Sequence, residues 1–269
     1  MKIKFLGAHN LESKNTRNTT IIIDDIIAID AGCLASELTF AEQEKIDGIF
    51  LTHGHYDHIK EIPAYAFNNL KKTTKVFGNS QTLEILKTHL VDGLIYPNFT
   101  KKNHFLKIPV LKLIKIKPNI PIKFENYEIK PIPVEHLVIS NGFEIKSDDG
   151  NNIFISGDSG PGLSQVWKNI NPELMIIDLT FPNKLEQIAV DSKHLCPNLL
   201  KKELISFYDI NNYYPNIILT HLNPKFEDEI REEILKISED LGVNFDFASE
   251  GKEIKIKKKI IESVEVKKL

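Results

Sequence analysis

The densest group of metal-binding side chains in this chain lies within six positions, where residues 53–58 are His-Gly-His-Tyr-Asp-His. Imidazole and carboxylate are the ligands that zinc and similar divalent ions accept, and catalytic sites leave one position open for water. The apolar run Gly48 to Leu51 comes directly before the cluster and predicts a buried strand that ends at Thr52. The sequence therefore predicts a metal site in the loop at the carboxyl end of this strand.

The local geometry expected for the loop supports a shared function for its polar side chains. His53 and His55 are alternate residues of an extended segment, so they point the same way. Gly54 between them removes a side chain where the backbone must pass close to an ion. Asp57 and His58 follow at the predicted first turn of a helix. The alternative is a polar loop with inert, hydrogen-bonded histidines, and this density of ligand types argues against it.

Length, charge and cysteine content limit the classes to which the chain can belong. It has 269 residues, enough for one large domain or two small ones, and we expect a single domain over residues 1–269. The formal net charge of −3 gives no global basic surface for nucleic acid, and the two cysteines supply no disulfide framework. The alternating start, Met1 to Gly7, is not typical of a signal peptide, and no apolar stretch approaches the ~20 residues of a membrane span. We therefore expect a cytoplasmic protein.

Strands and helices are predicted along the whole chain from its apolar periodicity. The predicted strands are Lys2–Leu6, Thr20–Asp24, Ile26–Asp30, Gly48–Leu51, Lys75–Gly78, Leu111–Ile116, Glu128–Pro133, Gly142–Ile145, Ile153–Ser156, Leu174–Asp178 and Ile217–Thr220, with two short strands closing the chain. The predicted helices are Ala35–Glu44, Ile59–Leu70, Ser80–Leu90, Leu163–Asn169, Pro197–Phe207 and Asp228–Leu241. Strands at the start of each half, with helices after them, predict an α/β fold of two facing sheets covered by helices, a four-layer αββα sandwich.

Polar residues at three further strand ends are candidate partners of the first cluster. His136 follows Ile-Pro-Val-Glu, Asp158 lies in Phe-Ile-Ser-Gly-Asp-Ser-Gly, and His221 ends the run Ile-Ile-Leu-Thr. Sites are commonly built where rigid strands emerge into loops. Each of the three residues, taken singly, is explained as well by a capping or exposed position. Together with the first cluster they indicate one metal centre.

These motifs resemble, in their order along the chain, those of the metallo-β-lactamase superfamily, and the resemblance covers nearly the whole sequence. It implies that one metal would be held by His53, His55 and His136, and a second by Asp57, His58 and His221, with Asp158 bridging and Asp30 orienting the ligands. In the two-metal hydrolases of this family a hydroxide between the ions attacks the substrate. Zinc is the expected ion, with manganese or iron as alternatives.

Three further features resemble one branch of that family, the phosphodiesterases, which include tRNA 3′-processing endonucleases. Residues 5–7 and 16–18 resemble the opening of this branch, and residues 178–183 and 193–197 are similar to signatures of class II cyclic-nucleotide phosphodiesterases. His55 favours hydrolysis, because family members with a di-iron oxygen-reducing centre carry a carboxylate at that position. Lys193 and Cys196 depart from the signature, which has Gly and Thr there.

The same resemblance implies a proton donor. In the related tRNA endonucleases a Glu and a His pair to protonate the leaving oxygen, and Asp178 and His194 stand at the matching places. A carboxylate behind an imidazole fixes its tautomer and keeps it charged. The alternative is that Asp178 caps a strand end and His194 flanks the helix at Pro197.

The sequence thus predicts a two-metal hydrolase that cleaves a small or cyclic phosphodiester. The candidate catalytic residues are Asp57, His194, Asp178 and Asp30, and His9 is a candidate substrate contact. The alternatives are an RNA endonuclease of the tRNase Z type, a thioester or lactone hydrolase that needs no proton donor, and a scaffold without metals. Nucleic acid is not favoured, because no Gly- and Pro-rich arm is found, and no membrane partner is expected. The irregular residues 92–109 leave open a lid or a homodimer contact.

Overall fold

The computed structural model describes residues 1–257 and 260–264. The strands are β1 (Lys2–Gly7), β2 (Thr20–Ile23), β3 (Ile27–Ile29), β4 (Gly48–Phe50), β5 (Thr74–Gly78), β6 (Leu111–Lys115), β7 (Ile122–Phe124), β8 (Tyr127–Val134), β9 (Ser140–Ser147), β10 (Asn152–Ile155), β11 (Leu174–Asp178), β12 (Asn216–Thr220), β13 (Phe245–Phe247), β14 (Glu253–Lys257) and β15 (Ile260–Val264). The α-helices are α1 (Phe40–Gln43), α2 (Tyr56–Ile59), α3 (Ile62–Asn68), α4 (Ser80–Ile85), α5 (Ser164–Trp167), α6 (Glu186–Ser192), α7 (Pro197–Asn211) and α8 (Glu227–Leu241). A π-helical turn (Leu86–Leu90) follows α4, and a 3₁₀ turn (Asn183–Leu185) precedes α6.

The described strands form two sheets. One has the order β15-β14-β1-β2-β3-β4-β5-β6, and the other has the order β13-β12-β11-β10-β9-β8-β7. Strands β3 to β6 are parallel to one another, and so are β10 to β13. Because the carboxyl ends of parallel strands meet at one edge of a sheet, the loops after these strands lie close together.

Apolar side chains form three clusters that separate four layers. One cluster lies between the sheets, where the Phe50 ring stacks on Phe77 at 4.3 Å and meets the Phe143 ring edge-on at 5.8 Å. The second packs α5, α7 and α8 on the outer face of one sheet, and the third packs α2, α3 and α4 on the other. The predicted αββα sandwich is therefore confirmed.

The predicted helix over Ala35–Glu44 is wrong in its first half, because α1 begins only at Phe40. The Glu61 carboxylate accepts hydrogen bonds from the backbone N–H groups of Ala35 and Ser36, at 2.6 and 2.9 Å. Thr39 then caps α1 through a reciprocal capping box. A contact from a residue distant in sequence thus replaces the helical hydrogen bonds that the local pattern suggests.

The predicted helix over Ile59–Leu70 is also wrong, since the structure has two separate helices, α2 and α3. The backbone N–H of Glu61 bonds to the carbonyl of Ala31 at 3.1 Å, which breaks the helical ladder between them. Glu61 accordingly has φ −95° and ψ 0°. The break leaves the ligand-bearing turn α2 free to take its own orientation after the loop.

Smaller differences concern short elements. Strand β7 and helix α6 were not predicted, and the described end of the chain has three strands where two were expected. Helix α7 extends beyond its predicted end, while α4 passes into a π-helical turn and α5 is a single turn. The sequence also predicts a hairpin at Asp24-Asp25, and it is present, with φ of 46° and 63° as a tight mirror-image turn requires. Residues 92–109 contain no helix or strand. The sequence predicts an edge strand and a solvated tail over residues 255–269, of which residues 258–259 and 265–269 lie outside the described residues. Within the described part of the chain, no helix combines the length and apolar character needed to cross a bilayer.

Candidate metal centre

The candidate ligands come from loops after four strands, which belong to both sheets, and from one helical turn. The loop after β4 and the turn α2 carry the first four, and the loops after β8, β10 and β12 carry one each. The structure brings all seven together in two overlapping groups, which are His53, His55, His136 and Asp158, and Asp57, His58, Asp158 and His221. Within each group the nearest ligand atoms lie no more than 4.8 Å apart. The predicted grouping of side chains is therefore present, with Asp158 in both groups.

Asp158 turns a different carboxylate oxygen toward each group. Its Oδ2 lies 3.6 Å from Nε2 of His53 and 3.8 Å from Nε2 of His136. Its Oδ1 lies 3.2 Å from Nε2 of His58 and 3.3 Å from Nε2 of His221. This division of its oxygens allows one carboxylate to serve two ions at once.

Three imidazole nitrogens in the cluster are buried without a hydrogen-bond partner in the described part of the chain. They are Nε2 of His53, His58 and His221. A buried polar atom left unpaired costs about 1–3 kcal/mol, so native structures rarely contain several together. A divalent cation would accept all three lone pairs. The donor set therefore fits divalent metal ions.

Asp30 and Thr52 fix the rings of the first histidines from behind. The Nδ1–H of His58 donates to Oδ2 of Asp30 at 2.7 Å. The Thr52 hydroxyl donates to the same oxygen at 2.8 Å and lies 3.0 Å from Nδ1 of His53. With Nδ1 engaged, the lone pair of each ring is left on Nε2, the nitrogen that faces Asp158. Asp30 has the position that an orienting residue needs.

Thr180 and the backbone carbonyl of Lys193 orient the imidazole rings of the ligands from the second half of the chain. Nδ1 of His221 lies 2.9 Å from the Thr180 hydroxyl, which donates to Oδ1 of Asp178 at 2.7 Å. Nδ1 of His136 donates to the carbonyl oxygen of Lys193 at 3.1 Å. Sequence reasoning did not assign Thr52 or Thr180 to the site. Each lies two residues beyond the end of a buried strand, which is a signal that could have found them. A carbonyl oxygen leaves no such signal.

The predicted contact between Asp178 and His194 is present. Nδ1 of His194 and Oδ2 of Asp178 are 2.7 Å apart, and the His194 ring stacks on the His221 ring at 5.3 Å. Burial lowers the pKa of His194, but the Asp178 carboxylate more than offsets this, and the net pKa is raised. No hydrogen bond engages Nε2 of His194 within the described residues, so this nitrogen can donate a proton toward the cluster.

Charge and burial shift the pKa values of the cluster in opposite directions. Burial alone raises the pKa of Asp158, but the His221, His58 and His53 imidazoles outweigh it and hold that pKa well below its usual range. The pKa of Asp57 is lowered in the same way, chiefly by His58. Burial also lowers the pKa of His53 well below its usual value. For His58 and His221, burial is outweighed by Asp158 and its neighbouring carboxylates, which raise both pKa values, so a bound cation would displace the protons of these two imidazoles.

His9 lies outside the cluster, so the expected substrate contact is not supported. Nδ1 of His9 lies 2.6 Å from Oε1 of Glu250, and its Nε2 lies 3.1 Å from Oε2 of Glu227. Both ring nitrogens are therefore engaged by protein carboxylates.

Comparisons with known proteins agree with this fold and cluster. The family model described as "Beta-lactamase superfamily domain" matches residues 20–243. The chain is 24% identical over 236 residues to a 3',5'-cyclic-nucleotide phosphodiesterase of Aliivibrio fischeri, which covers 78% of this chain and 70% of that protein. It is 32% identical over 160 residues to a ribonuclease Z of Methanocaldococcus jannaschii, which covers 54% of this chain and 47% of that protein.

Solved structures share the fold over almost the whole chain. Unliganded yeast PDE1 superposes with a TM-score of 0.79 at 18% identity, over 94% of this chain and 98% of the other. Human tRNase Z, short form, superposes with a TM-score of 0.67 at 18% identity, over 96% of this chain and 100% of the other. The family match over residues 20–243 includes every candidate metal ligand. This chain therefore belongs to the metallo-β-lactamase superfamily.

Proposed function

We propose that this chain is a metal-dependent phosphodiesterase that hydrolyses a small or cyclic nucleotide. The observation that carries the proposal is the pair of ligand groups sharing Asp158, with the hydrogen-bonded Asp178 and His194 beside them. The relatives named as a cyclic-nucleotide phosphodiesterase and a ribonuclease Z support phosphodiester chemistry. A thioester hydrolase would have little use for a buried carboxylate that supports an imidazolium, because a thiolate leaves without a proton.

Two divalent ions, with zinc as the proposed metal, fit the two groups. The proposed ligands are His53, His55 and His136 for one ion, Asp57, His58 and His221 for the other, and Asp158 for both. Imidazole nitrogen and carboxylate oxygen are ligands that suit zinc. When bound, such ions supply positive charge that stabilises the phosphoryl oxygens and lowers the pKa of water.

The chain's own residues supply orientation and a proton. Asp30 and Thr52 hold the rings of His58 and His53 so that Nε2 faces inward. The Asp178 carboxylate holds Nδ1–H of His194 and favours the protonated ring, so Nε2 carries a proton for the oxygen that leaves phosphorus. Because an alkoxide is a poor leaving group, this proton matters most for natural nucleotide esters.

The test is a panel of substrates with one metal-loaded preparation: bis-p-nitrophenyl phosphate, cyclic AMP, a thioester and a pre-tRNA. We expect hydrolysis of the first two and none of the thioester. Asp158→Asn should lose both activity and bound metal. Asp148→Asn, at an exposed position where the carboxylate pairs with Lys123, is the matched control and should retain both. Hydrolysis of the thioester alone would contradict the proposal.

An RNA endonuclease of the tRNase Z type is the second candidate. The identity of 32% to a ribonuclease Z over 160 residues favours it, whereas the formal net charge of −3 gives little attraction for a folded RNA. Cleavage of the pre-tRNA at a rate above that of cyclic AMP would favour the endonuclease.

We also propose that residues 1–269 act as one hydrolase domain. The candidate ligands come from both halves of the chain, and the cluster between the sheets includes strands of both. A single cooperative unfolding transition, seen equally by fluorescence and circular dichroism, is the expected result.

A further inference from the structure

The main chain of Lys193 is fixed between two parts of the candidate site. Its carbonyl oxygen accepts the hydrogen bond from Nδ1 of His136, and the next residue is His194. On the other side, a Cβ added to Gly160 would lie 2.9 Å from Cα of Lys193 and 3.2 Å from its Cβ. Gly160 follows Asp158 by two positions, so Lys193 packs directly against the loop that carries the shared ligand.

Lys193 also occupies a backbone conformation that a side chain disfavours. It ends α6 with φ 57° and ψ 51°, in the left-handed region. Helices α7 and α8 end in the same region, but with Asn212 and Gly242. Asparagine and glycine tolerate this conformation best, whereas a lysine is strained there. Glycine would relieve the strain at this position. The presence of lysine there suggests that its side chain has a function.

The Lys193 ammonium group has no ionic partner in the described part of the chain, although the residue is half-buried. Two carboxylates of the site already have imidazole partners, since Asp178 bonds to His194 and Asp158 lies 3.3 Å from Nε2 of His221. A cation without a counterion attracts an anion from solution. A lysine ammonium, as a compact point charge, suits a phosphate.

We propose that Lys193 is a specificity-determining residue that binds a second phosphate, carried by the leaving group of the substrate. The assignment rests on the proposed phosphodiesterase function, in which His194 protonates the leaving oxygen. Because Lys193 precedes His194 in the chain, its long side chain begins beside the residue that would protonate that oxygen. Water adds to phosphorus, the P–O3′ bond breaks, and His194 gives its proton to the departing 3′-oxygen. The enzyme then prefers a linear dinucleotide whose leaving nucleoside carries a 5′-terminal phosphate over the same dinucleotide without one.

The test compares the adenylyl dinucleotides ApA and pApA, which differ only in the 5′-terminal phosphate. The metal-loaded protein should cleave pApA with the higher kcat/KM. Lys193→Met should lower kcat/KM for pApA by roughly 10- to 100-fold, mainly through KM, with a much smaller loss for ApA. Lys193→Gly relieves the backbone strain and should show the same loss, which separates the charge effect from misfolding. Lys193→Arg should retain most of the preference.

Lys184→Met is the matched control, because Lys184 is exposed and pairs with Glu229 on α8. It should keep the preference for pApA. Equal kcat/KM for the two dinucleotides in the unmutated protein, or a preference that survives Lys193→Met, would overturn the assignment.

Failure of the proposed function can be told apart from failure of this inference. Bis-p-nitrophenyl phosphate, which has no second phosphate, reports phosphodiesterase activity by itself. If no diester is cleaved, calorimetric binding of phosphorothioate-linked ApA and pApA still tests the contact. The unmutated protein should then bind the phosphorylated form about tenfold more tightly, and Lys193→Met should bind both alike. Equal binding of both forms by the unmutated protein would overturn the assignment there too.

Discussion

The hydrogen bond between Asp178 and His194 separates two reaction types that share one fold. If His194 protonates the leaving oxygen, His194→Ala should reduce turnover of cyclic AMP by roughly 10²–10⁴-fold. With bis-p-nitrophenyl phosphate the loss should be much smaller, because p-nitrophenolate leaves without a proton. Steady-state kinetics on the two substrates, with metal content measured in parallel, checks this.

Asp178→Asn is the companion variant. Without the carboxylate, the imidazolium of His194 loses its main stabilisation, so activity on cyclic AMP should fall in the same direction. Metal content and folding should stay close to those of the unmutated protein. Equal losses on the two substrates would mean that His194 positions the substrate and does not donate a proton.

Asp30 gives a second prediction for a single residue, one that concerns affinity for the metal. Its carboxylate holds Nδ1–H of His58 and the Thr52 hydroxyl, and it is almost fully buried. Asp30→Asn should weaken metal binding by roughly 10- to 100-fold, the usual cost of changing a residue behind a ligand. Competition with a chelator of known affinity measures this, and Asp148→Asn serves again as the control. Unchanged affinity would show that His58 needs no support from Asp30.

At the scale of whole elements, His9 joins three segments that are far apart in sequence. It follows β1 and bonds to Glu227 at the start of α8 and to Glu250 just before β14. Burial lowers the pKa of His9, but its hydrogen bonds and ion pairs with Glu250 and Glu227 raise it above its usual value of 6.5. The protonated ring therefore stabilises the packing of α8 and the end of β1.

This contact predicts a pH-dependent stability difference between the unmutated protein and His9→Asn. Because the pKa of His9 is higher in the folded state, its contribution is fully present below pH 6.5 and is lost as the pH rises through the raised value. Urea unfolding at about pH 6 should show His9→Asn less stable by ~1–3 kcal/mol, and the difference should shrink toward pH 9. His104→Asn, at an exposed position, should show no such trend. A difference that is constant with pH would contradict the ionic role.

The elements also show how far the sequence determines the structure. Leu174–Asp178 is a strand with the predicted bounds, because the short apolar run Leu174 to Ile177 lies between the charged residues Glu173 and Asp178 and has few alternatives. The helix expected from Ala35 fails because Glu61, distant in sequence, takes its first N–H groups. The local sequence pattern predicts a helix or strand well when no residue distant in sequence competes for its backbone hydrogen bonds.

The same distinction applies within the candidate site. All seven proposed ligands were predictable, since each is an imidazole or carboxylate at the end of an apolar strand or in the loop after it. The carbonyl of Lys193 that supports His136 was not predictable, because every residue has a carbonyl. Nor could the sequence show that His9 meets Glu227 and Glu250, which lie 218 and 241 positions away.

At the scale of the whole molecule, the ligands link the two sheets. The loop after β4 and the turn α2 belong to one sheet, and the loops after β8, β10 and β12 to the other. Ions bound between them would stabilise the folded protein, because the unfolded chain has no such site. Free metal at a thousand times its Kd adds about 4 kcal/mol, which corresponds to roughly 8–16 °C in Tm for a domain of this size.

Chelation should therefore lower the Tm by an amount in this range, and scanning calorimetry before and after metal removal measures it. Re-adding the metal should restore the Tm. Asp158→Asn provides the control, since its Tm should respond little to chelator. A Tm that chelation leaves unchanged would mean that the ligand cluster holds no stabilising ion.

The division of the ligands between the two halves also sets an order of events during synthesis. Four of the candidate ligands lie within residues 53–58, whereas the last, His221, comes much later in the chain. A ribosome releases the first four long before the others exist, and domains are made from the N-terminus onward. A nascent chain can therefore offer an ion only a partial site until residue 221 has emerged. Stable metal acquisition becomes one of the last steps in the maturation of this protein.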